Sequence, residues 1–513
     1  MAFLVYFLAA AATAAFAVYR YLVWQSQYWR RKGVPGPASR LFYGNVREIN
    51  QFYEPMPMKI HEWTKEYGKV YGYKEGVRNV LVTSDLDMIT EVFVKQFDNF
   101  YARRAPPLPQ DLDNNPKVNL FESRGARWKR LRGLASPSFS INSLKKIRPI
   151  VEDSAIRMVD VMGKRHGAGE SFDASRFFSE FTLDTICRLV LGQKESTIFD
   201  NPRIDVVQKI FLQSMDRPLF HFAVGVPGAG LSLRNIGKKL NMHTPNPDQN
   251  RIFMEIENAV RARVKERETS GAPDASADFI DLFLDSAAEF EYQNRGDFST
   301  QASVAKALTV DEVIAQAVVF LLAGYDTTSN ALSYTTWMLS RNPEVMKRCQ
   351  EEIDEVCTDS SISYEDCQNL RYLDAVCRET LRFFPLAARA VARTCMKDTT
   401  VGGYEIDKDT IVMADTFAVH FNKDLWGEDV DEFKPERWLE SDRRVAAINF
   451  LTFGAGPRLC VGMRLATLEE KIALAHMLRK FDVLADEQVS KLTLMGNLTT
   501  TPERVPIKIN PRI

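Results

Sequence analysis

Several signatures are missing from this chain of 513 residues, and each absence closes off a class of function. No C-x-x-C occurs among its seven cysteines, which excludes a zinc ribbon and a thioredoxin-like dithiol. The six histidines (His61, His166, His221, His243, His420, His476) include no H-E-x-x-H and no close pair, so a conventional histidine-held metal is not indicated. There is no flavin or nicotinamide fingerprint. Basic and acidic residues nearly cancel, leaving a net charge of −1, and no basic stripe is interleaved with aromatics, so nucleic acid is set aside as a partner. From about residue 45 onward no Ser/Gly-rich linker or internal repeat interrupts the chain, and residues 45–513 read as one large domain.

What the chain has in quantity is apolar residues, and the longest run comes first. Ala2 to Tyr19 carries no charge, and the run continues through Tyr21, Leu22, Val23 and Trp24 with Arg20 as its one interruption. Eighteen apolar residues at the helical rise cover ~27 Å, close to a hydrocarbon core of about 30 Å. A cleaved signal peptide would carry basic residues before the apolar run; here Arg30-Arg31-Lys32 come after it. Residues 1–24 are therefore expected to form an uncleaved transmembrane anchor, with the remainder cytosolic by the positive-inside rule. Residues 25–44, basic and then Pro/Gly-rich at Val34-Pro35-Gly36-Pro37, are expected to form a stiff linker. The sequon Asn497-Leu498-Thr499 offers a check on orientation, because a cytosolic domain leaves it unmodified.

In the soluble part helical periodicity dominates. Residues 70–83 read as a hairpin of two β segments, and residues 399–416 repeat that signal around Gly402-Gly403 and Asp407-Lys408-Asp409. Residues 270–273 and the polar stretch 290–300 read as loops. Cys349, Cys357, Cys367 and Cys377 are spaced too widely for a metal knuckle and read as reduced, structural thiols. Thr309 and Glu312 have capping-box spacing, and the apolar pattern behind them predicts a long helix up to Ser340, stopped by Asn342-Pro343. Gly324, Asp326, Thr327 and Thr328 in its middle weaken a helix, and polar groups placed at that cost in a buried element point to a site.

The strongest local signal is Phe453-Gly454-Ala455-Gly456-Pro457-Arg458-Leu459-Cys460-Val461-Gly462. Glycines allow a tight loop whose N–H groups approach a buried atom, and Cys460 stands just before a helical stretch, an arrangement expected to lower a thiol's pKa. Arg458 has the planar fork that suits a carboxylate. In this pattern all six specified positions of F-G-x-G-x-R-x-C-x-G match, and the chain resembles the cytochromes P-450, whose haem-binding signature this is. Glu379-Thr380-Leu381-Arg382 is similar to that family's E-x-x-R, with Arg437 of Pro435-Glu436-Arg437-Trp438 as the third member of a structural triad. Trp128-Lys129-Arg130-Leu131-Arg132 is similar to its W-x-x-x-R segment. The wording of residues 128–139, 278–284 and 452–463 resembles the animal microsomal group of the nifedipine oxidases and thromboxane synthase.

That resemblance implies a mainly α fold with a minor β portion, a single haem domain behind a membrane helix. It implies haem b with the Cys460 thiolate as axial ligand and sole metal contact. Phe453, Gly454, Gly456 and Gly462 shape the loop, and Trp128, Arg132, Arg393 and Arg458 hold the cofactor's carboxylates. Asp326 and Thr327 become an acid–alcohol pair that relays protons during O2 activation. Phe320, Ala323, Leu386, Ala387 and Ala388 are expected to line the substrate pocket, with residues 100–121 and 218–233 as access elements, the latter dipping into the bilayer. Electrons come from NADPH through NADPH-cytochrome P-450 reductase, with cytochrome b5 as a further donor, on a docking face that includes Lys129 and Arg130. The expected location is the endoplasmic reticulum membrane. Two other readings stay open: a haem-thiolate isomerase of the thromboxane-synthase type acting on a lipid peroxide, and a non-catalytic haem sensor or carrier. The first can dispense with the Thr327 alcohol, and the second has no use for Asp326 or Thr327.

Overall fold

A computed structural model describes residues 2–109, 111–239, 247–270, 278–285, 308–439 and 446–512. The fold is mainly helical with short strands, as the patterning predicts. The loop expectations at 271–273 and 290–300 fall outside the described residues.

Ala2–Ser26 is one continuous helix with no buried residue, long and apolar enough to cross a membrane. The segment behind it packs on the domain. Tyr28, Trp29 and Val34 are buried in a hydrophobic cluster with the β sheet. Trp29 Nε1–H donates to the carbonyl of Tyr73 at 2.9 Å, and the Gly72 N–H donates to Pro35 O at 2.8 Å. Gly72 makes this seat: a Cβ there would lie 2.2 Å from the Trp29 ring.

The hairpin forms as expected, with Val70–Glu75 antiparallel to Arg78–Thr83. Its second strand pairs in parallel with Ile411–Ala414, which pairs antiparallel with Ala392–Thr394. Thr399–Val401 and Tyr404–Ile406 make a separate two-stranded ribbon around Gly402-Gly403.

The capping box at Thr309 and Glu312 is present, and the helix it starts runs Val310–Arg341 through the centre of the molecule. It packs on the helices Ser175–Leu191, Pro247–Ser270, Arg371–Phe383 and Met463–Lys480. Gly324 has a packing reason, since a Cβ there would lie 2.7 Å from Ile186 Cδ1 on the neighbouring helix. The six cysteines other than Cys460 are buried and free, as inert thiols should be.

Candidate active site

One cavity of about 260 Å³ lies between the long helix and the loop before Met463–Lys480. Cys460 opens onto it. The loop is shaped by left-handed backbone at Gly454 (φ +77°) and Gly456 (φ +68°), conformations costly for residues with a Cβ. Gly456 does not line the cavity. It permits a close approach to a short π-helical turn, Glu91–Lys95, where a Cβ would fall 2.0 Å from Phe93 O. Phe453, Gly454 and Gly462 do line the cavity.

The Cys460 thiol differs from expectation in one respect. Hydrogen bonds from the Gly462 and Met463 backbone and the charges of Arg103 and Arg132 favour its thiolate, but burial outweighs them and the net shift is upward. Helix-start donors only partly offset the loss of water, and a cation bound at the sulfur would favour the thiolate further.

Around Cys460 stand Arg103, Arg132, Arg393 and Arg458, all on the cavity wall together with Trp128. No carboxylate among the described residues pairs with them. Arg458 donates to the carbonyls of Tyr101 (2.6 Å) and Ser123 (2.6 Å), its guanidinium 4.3 Å from the centre of the Trp128 ring. Arg132 donates to Leu459 O, and Arg103 donates to Ala390 O and Arg458 O. Arg393 donates to Ala392 O and Ala455 O. The Nε atoms of Arg103 and Arg393 are buried without an acceptor. Burial lowers the pKa of all four, that of Arg103 to about 10, and repulsion from neighbouring arginines adds to the effect at Arg103, Arg393 and Arg458. Unpaired buried cations are costly. A cluster of four facing one cavity fits an anionic ligand with more than one carboxylate, and a haem with its two propionates meets that demand.

On the opposite wall the long helix presents Phe320, Ala323, Gly324, Thr327 and Thr328. Asp326 is not among them. Consecutive helical residues point about 100° apart, so the acid and the alcohol face different ways. Thr327 Oγ1–H donates to Ala323 O at 2.8 Å, beside the cavity. Asp326 is buried behind it, where its Oδ2 accepts from Thr499 Oγ1–H (2.5 Å) and Asn330 Nδ2–H (3.1 Å). Burial pushes its pKa up to about 7.

Leu386 and Ala387 line the cavity and Ala388 does not; Ala390 does. The segment Ala388–Ala390 is a 3₁₀ turn, in which residues three apart share a face, so Ala387 and Ala390 point together and Ala388 is buried elsewhere. Arg130 is also corrected. It is buried and ion-pairs Glu312 at the start of the long helix, so of the two expected docking cations Lys129 alone is exposed. Asn497 is buried too, its side-chain N–H donating to Gln213 O.

Glu379, Arg382 and Arg437 meet with almost no exposure. Arg382 grips Glu379 with two hydrogen bonds of 3.0 and 2.9 Å, and Arg437 Nε–H donates to Glu379 Oε1 at 2.9 Å.

Three residues carried no motif and were missed. Arg103 lies in the flagged 100–121 segment, yet nothing in its local sequence singles it out. Glu469 and Glu470 line the cavity from the helix behind Cys460, and burial raises them to about 8 and about 7.

This arrangement agrees with what comparison with known proteins finds. The cytochrome P-450 family model matches residues 34–509. The chain is 42% identical over 504 residues to cytochrome P-450 cyp-13B1 of Caenorhabditis elegans, covering 96% of this chain and 97% of that one. It is 41% identical over 511 residues to cytochrome P-450 CYP13A3 of the same nematode, with 96% and 97% covered. The chain belongs to the cytochrome P-450 family. Membership implies haem with a cysteine thiolate ligand and oxidoreductase chemistry of the monooxygenase type.

Proposed function

We propose that the protein is a membrane-anchored monooxygenase that inserts one oxygen atom of O2 into a lipophilic small molecule. Electrons come from NADPH through a flavoprotein reductase, with cytochrome b5 as a second donor. The observation that carries this reading is one cavity with a thiol, Cys460, on one wall and the Thr327 hydroxyl on the other, with a buried acid next in sequence.

In this reading Cys460 would ligate the haem iron, and Arg103, Arg132, Arg393, Arg458 and Trp128 would hold the two carboxylates of the haem. When bound, the haem would supply the redox centre for O2 chemistry, with the Cys460 thiolate tuning its electron density. Asp326 keeps a proton near neutral pH. To deliver it, the carboxyl must leave Thr499 and turn toward Thr327, whose hydroxyl hands the proton into the cavity. Phe320, Ala323, Leu386 and Ala387 keep bulk water away and accept apolar substrates. Leu219, Phe222 and Leu231, exposed on the helices Pro218–Gly225 and Ala229–Lys239, suit contact with a bilayer from which such substrates arrive. The anchor and the basic cluster after it favour the endoplasmic reticulum membrane with the catalytic domain on the cytosolic side.

The test is the carbon monoxide difference spectrum of the dithionite-reduced protein beside Cys460→Ala. A strongly red-shifted Soret band lost in the variant supports the ligand. With reductase, Thr327→Ala should consume NADPH while releasing peroxide in place of product; coupled turnover that survives the change refutes the relay. Turnover of a lipid peroxide without NADPH would favour the isomerase.

A further inference from the structure

His420 takes no part in the chemistry above, yet it joins two parts of the site. Its ring is fully buried at the end of the helix Thr416–His420. The backbone N–H of Leu451 donates to His420 Nε2 at 2.9 Å. An N–H can only donate, so Nε2 is the unprotonated nitrogen and Nδ1 carries the hydrogen. Nδ1 faces the carbonyl of Arg382 at 3.1 Å, the partner that this tautomer requires. The exchange is reciprocal, because Arg382 Nη1–H donates to the carbonyl of His420 at 2.9 Å. Burial pushes the imidazole pKa down to about 3, so one neutral tautomer serves both bonds across the working pH range.

The two ends of this bridge differ in kind. Arg382 belongs to the buried triad with Glu379 and Arg437. Leu451 opens the loop that ends at Cys460: its carbonyl accepts from the Gly454 N–H at 2.8 Å, and the Phe453 carbonyl accepts from the Cys460 N–H at 3.0 Å. Phe450, just ahead, stacks on the His420 ring at 5.4 Å between centres. One parallel tie exists, from Thr452 Oγ1–H to Leu381 O at 3.0 Å.

We infer that His420 is a positioning residue for the thiolate loop, transmitting the fixed geometry of the Glu379–Arg382–Arg437 triad to Leu451 and so to Cys460. The inference rests on Cys460 as the haem ligand. Without the imidazole acceptor the Leu451 N–H is buried unpaired, a penalty that loosens the loop where the cysteine must be held at a fixed distance.

The test uses the full-length holoprotein with His420→Gln, His420→Asn and His420→Phe. Glutamine places an acceptor near the Nε2 position and can receive the Leu451 N–H. Asparagine reaches only the Nδ1 position, and phenylalanine offers neither. At matched haem content, His420→Gln should keep most of the red-shifted carbon monoxide band. The other two should lose it in favour of the unshifted form by about tenfold, as expected for one buried unpaired donor. Hydrogen exchange over residues 448–456 should accelerate in His420→Asn and His420→Phe and stay near wild type in His420→Gln. The Asn/Gln comparison decides the matter whether or not the Phe variant accumulates. Equal red-shifted fractions in Asn and Gln, even with lowered melting temperatures, would overturn the inference, as would rescue by Asn and not by Gln. A wild-type protein without the red-shifted band would instead overturn the ligand assignment.

Discussion

Glu469 sits on the cavity wall with the Thr328 hydroxyl as hydrogen-bond partner, and burial moves its carboxyl from the ordinary 4.5 to about 8. The native state therefore holds a proton that the unfolded chain has already released. Stability from this group is complete below pH 4.5 and is lost as pH rises through about 8. Between pH 6 and pH 8 the loss runs at about 1 kcal/mol per pH unit, or about 2–3 kcal/mol in all. Glu469→Gln keeps an acceptor for Thr328 and cannot ionise. Its stability relative to wild type should be near zero below about pH 4.5, about 2 kcal/mol in favour of the variant at pH 6, and a further 2–3 kcal/mol in its favour by about pH 8. Glu470, raised to about 7, is common to both proteins and cancels in the difference. The assay is urea unfolding at four pH values, followed by tryptophan fluorescence and by the Soret band. A difference between the proteins that does not change with pH would refute the claim that this carboxyl is protonated in the fold.

Other consequences follow from the same geometry. Arg103→Gln removes a cation with a buried, unpaired Nε–H, and haem transfer to an excess of apomyoglobin should accelerate by about tenfold, the value of one charge-assisted hydrogen bond. Gly456→Ala adds a Cβ 2.0 Å from Phe93 O at φ +68° and should cost more than about 2 kcal/mol. Gly454→Ala, at φ +77° with nothing within 4 Å, should cost about 1 kcal/mol, so equal losses in denaturation would show that the approach to Phe93 does not matter. Glu379→Gln strands Arg382 and Arg437 in the interior at a cost of about 3–5 kcal/mol, and expression should yield little haem protein by absorbance.

What the amino-acid sequence determined by itself was local. The capping box at Thr309 and Glu312, the long helix behind it, the hairpin at 70–83 and the Glu379/Arg382 pair follow from helical and strand periods and from backbone chemistry within a few residues. The Cys460 loop was legible for the same reason, since its glycines and cysteine are contiguous. Only the tertiary structure decided which neighbours those elements meet. It brought Arg103 beside Arg458, turned Arg130 inward to Glu312, and set Asp326 against Thr499 while Thr327 faced the cavity. It also buried Asn497, exchanged Ala388 for Ala390 in the lining, and placed His420 between Arg382 and Leu451. Apart from the exchange at Ala388, which a local 3₁₀ turn sets, these outcomes depend on which side of a residue loses water and on partners tens to hundreds of positions away. Desolvation and partner identity, which set the charge and the role of a side chain, are properties of the packed interior and have no period along the chain.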